Sequence, residues 1–234
     1  MLYTEQNVRD NIRNREGKRV FFLGAGDQLT PGARDWLRKE RIEIRPAQTA
    51  KIDTYRLLGG GFVTEKPEHL THLSGDILVR KTHPRIAFRG KMDLLETELM
   101  LCQLTVPEFR QELGEILALS RRLIRCDVLD EPVPEGKLCG MTEAELRQRS
   151  HFPQEHYGQP HFMPQYTDGQ AMLQLNKARG MAREAERMAA EAFQDREGNP
   201  TREDILRAMN RMSSMLWILM IRLKKDTGGA RNGR

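Results

Sequence analysis

Residues 170–195 read QAMLQLNKARGMAREAERMAAEAFQD, and this stretch decides the fold. At 100° per residue, Ala178, Ala182, Ala185, Ala189 and Ala192 fall on one narrow face of a helix. Methyl side chains there allow a neighbouring helix to approach closely, which is the requirement of a packed bundle. Downstream, Gly198-Asn199-Pro200 breaks the pattern, and residues 202–225 resume it as a further helix. Upstream, residues 85–104 place Ile86, Met92, Leu95, Leu99 and Leu104 at inward positions. Pro107 opens another helix to about Arg125, with Phe109, Leu113, Ile116, Leu117, Leu123 and Ile124 facing inward. Thr142-Glu143-Ala144-Glu145 is a capping box that starts a short helix. Glu131-Pro132-Val133-Pro134 reads as a turn, and residues 151–169 as a long loop rich in His and aromatic residues. Long helices joined by short connections imply an antiparallel bundle.

Residues 1–66 differ. Arg19 to Leu23 reads as a strand, Gly24-Ala25-Gly26 as a turn, and Thr30-Pro31 as the N-cap and first position of a helix. Arg41 to Ile44 alternates as a second strand, and Gly59-Gly60-Gly61 with Pro67 reads as a linker. The expected organisation is a small α+β extension over 1–66, a helical bundle over 67–225 and a disordered tail over 226–234, so a mainly α protein.

The charge balance, 38 Lys and Arg against 33 Asp and Glu, leaves a modest positive excess that suits a solvated surface or a polyanionic small ligand. Lys/Arg blocks and stacking aromatics are too sparse for a nucleic-acid interface. The apolar run Met215 to Leu223 contains Arg222 and is too short for a membrane span, and no signal peptide is visible, so a cytoplasmic protein is expected. Cys102, Cys126 and Cys139 are isolated. They suggest neither a disulfide framework nor a thiolate metal site, and Cys102 and Cys126 fit core positions.

On the 170–195 helix, Arg179, Arg183 and Glu186 flank the alanine face at spacings of four and three, one above another. Guanidiniums at i and i+4 repel unless an anion lies between them. Spacing alone admits two readings: a surface ion-pair ladder, or a fork of donors for a phosphate chain. Asn210, Ser213 and Ser214 put polar groups on neighbouring turns of an otherwise apolar helix and need partners, either another helix or a ligand. Thr71, Ser74, Gly75 and Lys81 offer hydroxyls, flexible backbone and a cation in a phosphate-loop pattern, without a P-loop motif. Asp93 is an acid on an apolar helix and calls for a cationic partner. Gly24-Ala25-Gly26 follows a strand, but the third glycine of a dinucleotide turn is replaced by Leu29.

Three segments carry a resemblance. ARGMAREAER (178–187) is similar to the Arg-x-x-x-Arg-x-x-Glu-Arg signature of the cobalamin adenosyltransferase family of the PduO type, LRAMNRMSSMLWIL (206–219) to its Asn-Arg-Leu-Ser segment, and VRKTHPRIAFRGKMDLLE (79–96) to its Lys and Gly-x-x-Asp region, all in family order. Met163-Pro164 resembles its Leu-Pro turn. LTPGAR (29–34), LTHLS (70–74) and DILRAMNR (204–211) resemble the ethanolamine-utilisation branch, EutT. The resemblance implies an up-down five-helix bundle assembling as a homotrimer, with ATP and corrinoid sites near subunit contacts. It implies that Lys81, Arg183, Glu186 and Asn210 contact ATP, and that Arg179 pairs with Asp93 and shapes the catalytic site with Arg183. Thr71 and Ser74 are further phosphate candidates, and His161 and Phe162 of the 151–164 loop are candidates for the corrinoid side.

The implied reaction moves the 5′-deoxyadenosyl group of ATP to cob(I)alamin with a magnesium ion sharing the charge. A cob(II)alamin reductant and a microcompartment component are further expected partners. The alternative is a non-catalytic ATP or corrinoid carrier or sensor on the same bundle, and a third is a helical interaction protein. Many members of the branch carry a His and Cys-Cys-x-x-Cys metal motif. Arg45 to Pro67, where it would fall, contains neither residue, so no structural zinc or iron is expected.

Overall fold

A computed structural model describes residues 1–15, 17–24, 26–46 and 54–231, without side-chain detail beyond 226. Ala25 in the expected turn, residues 47–53 in the stretch without a metal motif, and the last three residues of the tail lie outside the described residues. The chain is mainly α with an additional β part, and it divides into two compact units, Met1–His83 and Pro84–Arg234. The division falls at Pro84, which opens a helix, rather than at residue 66. The strands over residues 70–80 account for the shift, because they belong to the first unit.

In the first unit, β1 (Leu2–Tyr3) pairs with β4 (Gln28–Leu29), and β2 (Arg13–Arg15), β3 (Lys18–Leu23) and β5 (Glu43–Pro46) form a sheet in the order β2-β3-β5. Helices α1 (Glu5–Asp10) and α2 (Pro31–Lys39) pack with this part through Val8, Phe21, Ala33, Leu37 and Ile42. Thr30 caps α2 through the Ala33 amide, as its sequence anticipates. A second sheet has the order β7-β6-β9-β8, from β6 (Tyr55–Leu57), β7 (Phe62–Val63), β8 (Leu70–Ser74) and β9 (Ile77–Arg80). The glycines expected as a linker instead turn the β6–β7 hairpin, with Gly60 and Gly61 at φ of 97° and 87°, conformations that exclude most side chains. Gly75 turns β8 into β9 at φ 53°, and a Cβ there would meet the Asn14 carbonyl oxygen at 2.5 Å.

The second unit is helical: α3 (Pro84–Thr105), α4 (Arg110–Leu129), α5 (Glu143–His151), α6 (Pro153–Tyr157), α7 (Gln170–Ala192) and α8 (Glu203–Arg231). Cross-helix contacts set the directions. Lys91–Glu184 and Glu98–Lys177 make α3 and α7 antiparallel, and Glu96–Ser120 and Arg89–Asp127 do the same for α3 and α4. Arg222–Glu112, with Arg202 bonded to the Glu131 carbonyl beyond α4, sets α8 against α4. Helix α3 is therefore antiparallel to both α4 and α7, α7 is antiparallel to α8, and α5 packs on α8.

Ala178, Ala182, Ala185 and Ala189 are fully buried, as the opening stretch implies, and Ala192 is partly buried against the same core. On α8, Met215 to Ile221 are buried on every side, so this helix lines the centre of the unit. Leu104, expected inside, is 74% exposed, because the inward positions of α3 run through Leu95, Leu99 and Cys102 and leave it on the opposite flank. The 151–169 segment is partly ordered as α6 and a 3-10 turn at Tyr166–Asp168. Helix α8 continues to Arg231, past the expected start of a disordered tail at Asp226.

The start of α8 is tied down by charge. Arg202 donates to both Asp204 oxygens at 2.9 Å, and the Val133 amide donates to Asp204 at 2.8 Å. The Arg202 hydrogen bonds hold the Asp204 carboxyl down at about 2, against an ordinary 3.8. A carboxyl depressed in the folded state stabilises above its unfolded value and loses that contribution as pH falls through its folded one. Stability is thus expected to drop by about 1 kcal/mol from this group between roughly pH 4 and pH 2, after allowing for solvent screening. Urea midpoints at pH 5 and pH 3 check it, since Asp204→Asn should flatten the difference.

Candidate nucleotide and corrinoid site on α7 and α8

Glu186 on α7 and Asn210 on α8 meet directly, the Asn210 amide donating to Glu186 Oε1 at 3.0 Å. Seven residues from each, Arg179 and Trp217 meet, with the guanidinium carbon 5.1 Å from the indole centre. Both contacts obey one antiparallel register, and that register sets Arg183 level with Ser213 between them. Asn210 is oriented without ambiguity. Its carbonyl oxygen accepts from Arg211 and its amide nitrogen donates to the carboxylate, whereas the flipped amide would set donor against donor. Arg211 also donates to the Glu143 carbonyl at 3.2 Å, which links the start of α5 to this face.

The two readings of the arginine stripe separate here. Arg187 belongs to a surface ladder, bonded to both Glu184 oxygens at 3.0 and 3.1 Å, with Lys91 on the other side of Glu184. Arg179 and Arg183 stand outside it. Among the described residues neither forms an ion pair, Arg183 is exposed, and Arg179 is half-buried against Trp217. Burial first, and then the charge of Arg183, push the Arg179 guanidinium below its usual value. Two adjacent cations without a carboxylate suit an anionic ligand with several oxygens.

The pair expected between Arg179 and Asp93 is not formed within the chain. Asp93 is exposed on α3 without an ion-pair partner among the described residues, and the indole occupies the Arg179 side chain instead. Thr71 and Ser74 are not loop residues but members of strand β8, paired with Val79 and Ile77 of β9. Lys81 is exposed just after β9, its amide bonded to the His69 carbonyl at 3.1 Å. These three belong to the first compact unit, and the residues on α3, α7 and α8 to the second.

His161 and Phe162 do gather near the arginine stripe. The His161 ring lies parallel to Trp217 with centroids 5.8 Å apart, and Phe162 is tilted on it at 5.0 Å. Lys224 pairs with Asp168 and lies over Phe162, so α8 holds the 161–168 segment at two points. Sequence reading missed Trp217, whose place in an apolar run makes it look like any core aromatic. Its spacing of seven from Asn210 was the available signal.

Fold and site thus define a mainly helical protein with an unneutralised arginine pair beside an aromatic shelf. The cobalamin adenosyltransferase family profile matches residues 62–223, which include every candidate site residue above. The chain is 31% identical to the corrinoid adenosyltransferase EutT of Salmonella typhimurium and 33% identical to that of Escherichia coli K12, in each case over 93% of this chain and 90% of the relative. The chain belongs to the cobalamin adenosyltransferase family, a class of transferase enzymes.

Proposed function

We propose that this enzyme transfers the 5′-deoxyadenosyl group of ATP to cob(I)alamin and releases triphosphate, in the service of ethanolamine utilisation. The observation that carries the reading is the pair Arg179 and Arg183, in no ion pair among the described residues and next to the Glu186–Asn210 contact. In the reaction the cobalt–carbon bond forms as the C5′–oxygen bond breaks, and the leaving triphosphate takes the electron pair. Cobalt is the nucleophile, so the protein needs no nucleophilic side chain; its work is orientation and charge stabilisation.

Arg183 meets the charge that grows on the leaving oxygen, Glu186 and Asn210 fix the nucleotide, and Arg179 holds the flank of the site. Lys81 is assigned to the phosphates by its charge and by the resemblance, and Thr71 and Ser74 by their hydroxyls. Magnesium prefers hard oxygen donors and few protein ligands, and the Glu186 carboxylate fits it; it would supply further neutralisation of the triphosphate. His161 and Phe162, with exposed Met163 nearby, offer an apolar and aromatic surface suited to the corrinoid face.

In this reading α5 is the fifth helix of an up-down bundle, and the protein works as a homotrimer. Exposed Leu94, Leu101 and Leu104 of α3 and Leu173 of α7 support self-association, as do exposed Gly90 and Gly180, which allow close helix approach. Asp93 and Arg179, neither of which forms an ion pair among the described residues of one chain, are available to each other between copies. A cob(II)alamin reductant and a microcompartment component complete the expected partners.

The test is spectroscopic. The protein is mixed with ATP, magnesium and chemically reduced cobalamin, and formation of the cobalt–carbon bond is followed by absorbance. Turnover to adenosylcobalamin and triphosphate is the expected result. Binding of ATP and corrinoid without turnover would replace the enzyme with a carrier.

A further inference from the structure

We infer that Arg211 is a positioning residue for the nucleotide, acting through Asn210 and Glu186. This rests on the reading of the α7–α8 face as the ATP site and adds to that site a support on α5. Successive residues of a helix point about 100° apart, so their side chains do not ordinarily meet. Arg211 nevertheless folds back on its neighbour, and its Nη2 donates to the Asn210 carbonyl oxygen. Its Nη1 donates to the carbonyl of Glu143, the first residue of α5, at 3.2 Å. One planar fork thus spans α8 and α5, a reach that the single ammonium of a lysine lacks.

The placement is costly, which argues against an arginine settled by chance on a wet surface. Arg211 is half-buried, its Nε is buried without a hydrogen-bond partner among the described residues, and burial pushes the guanidinium below its usual value. What the arrangement gives in return is order at Glu186. Asn210 is exposed, and water competes for its bond to the carboxylate, so that bond alone holds little. A cation on the carbonyl side polarises the amide and strengthens donation from its nitrogen. The donors run one way, from Arg211 through Asn210 to Glu186 Oε1, and the second Glu186 oxygen accepts no hydrogen bond among the described residues. The point from which this relay starts is itself fixed. Thr142 and Glu145 cap α5 reciprocally, and just before the cap the Cys139 amide donates to Glu115 of α4 at 2.8 Å.

Two measurements on the full chain test this: ATP affinity by titration calorimetry with magnesium, and initial rates with ATP varied at saturating cob(I)alamin. Arg211→Met is expected to weaken ATP binding and to raise the KM for ATP about tenfold, the size of a lost charged hydrogen bond, while kcat stays within about twofold of the parent. Arg211→Lys keeps the charge but not the fork, and should stand about threefold from the parent. In an Asn210→Ala background, Arg211→Met should cost less than about twofold, because the group it positions is gone.

Losses that multiply in the double variant would overturn the inference, because Arg211 would then act independently of Asn210. So would a fall in kcat with KM unchanged, or a KM for Arg211→Met equal to the parent's. If Arg211→Met does not fold, Arg211→Lys closes the same cycle with Asn210→Ala and is judged by the same coupling. The adenosyl-transfer reading falls separately, if the parent binds ATP and does not alkylate cob(I)alamin; the calorimetric cycle then still decides the role of Arg211.

Discussion

Arg183→Ala lowers kcat/KM for ATP by about a hundredfold, the loss expected when one charged donor to a developing anion is removed. The fold should not suffer. Arg183 is exposed and makes no ion pair among the described residues, so alanine breaks no salt bridge there. Alanine is also the better helix former, and its presence ends the repulsion that bears on Arg179. Thermal stability is accordingly expected to hold or to rise by a few tenths of a kcal/mol, about the size of a like-charge helix pair. Arg187→Ala is the matched control: same helix, same charge lost, but from a guanidinium already bonded to Glu184, and it should leave the kinetics near the parent's. Initial rates with ATP varied at saturating cob(I)alamin separate the two. Equal kinetics for Arg183→Ala and the parent would remove the arginine pair from the reaction.

What the sequence made legible was local. The alanine face of α7, the capping box that starts α5 and the Thr30-Pro31 start of α2 depend on neighbours a few positions away, and all three appear as read. The nature of Arg179 was not legible, because its neighbour is chosen by the α7–α8 register rather than by spacing along α7. An acid such as Asp93 invites pairing with any nearby arginine, and only the packed register shows that within one chain Arg179 lies over an indole. The strand character of Thr71 and Ser74 was masked by the glycine and the polar residues around them. Pairing with β9, whose Leu78 and Val79 are buried, decided it. Asp127 went unremarked altogether, since a lone acid near the end of a charged helix gives no hint that two arginines converge on it.

That acid sets the largest stability effect expected in the chain. Asp127 is fully buried; Arg85 donates to one of its oxygens at 2.7 Å and Arg89 to the other at 2.6 Å, joining α3 to α4. Arg85 also donates to the Asp127 carbonyl at 2.7 Å, so the carboxylate and its own backbone fix the guanidinium together. Asp127→Ala leaves two largely buried guanidiniums facing each other and should cost about 3–5 kcal/mol, the usual consequence of breaking a buried pair from one side. Asp127→Asn should cost nearly as much, because the amide can accept from one arginine but turns a donor toward the other. The loss comes from the stranded charges rather than from the value of the bridge itself. Replacing Arg85 and Arg89 by Met together with Asp127 by Leu should therefore recover most of it. Urea unfolding followed by far-ultraviolet circular dichroism, which reports chiefly on α3, α4, α7 and α8, measures all three. A cost for Asp127→Ala below about 1 kcal/mol would mean that solvent reaches the arginines and that the cluster is a surface ion pair.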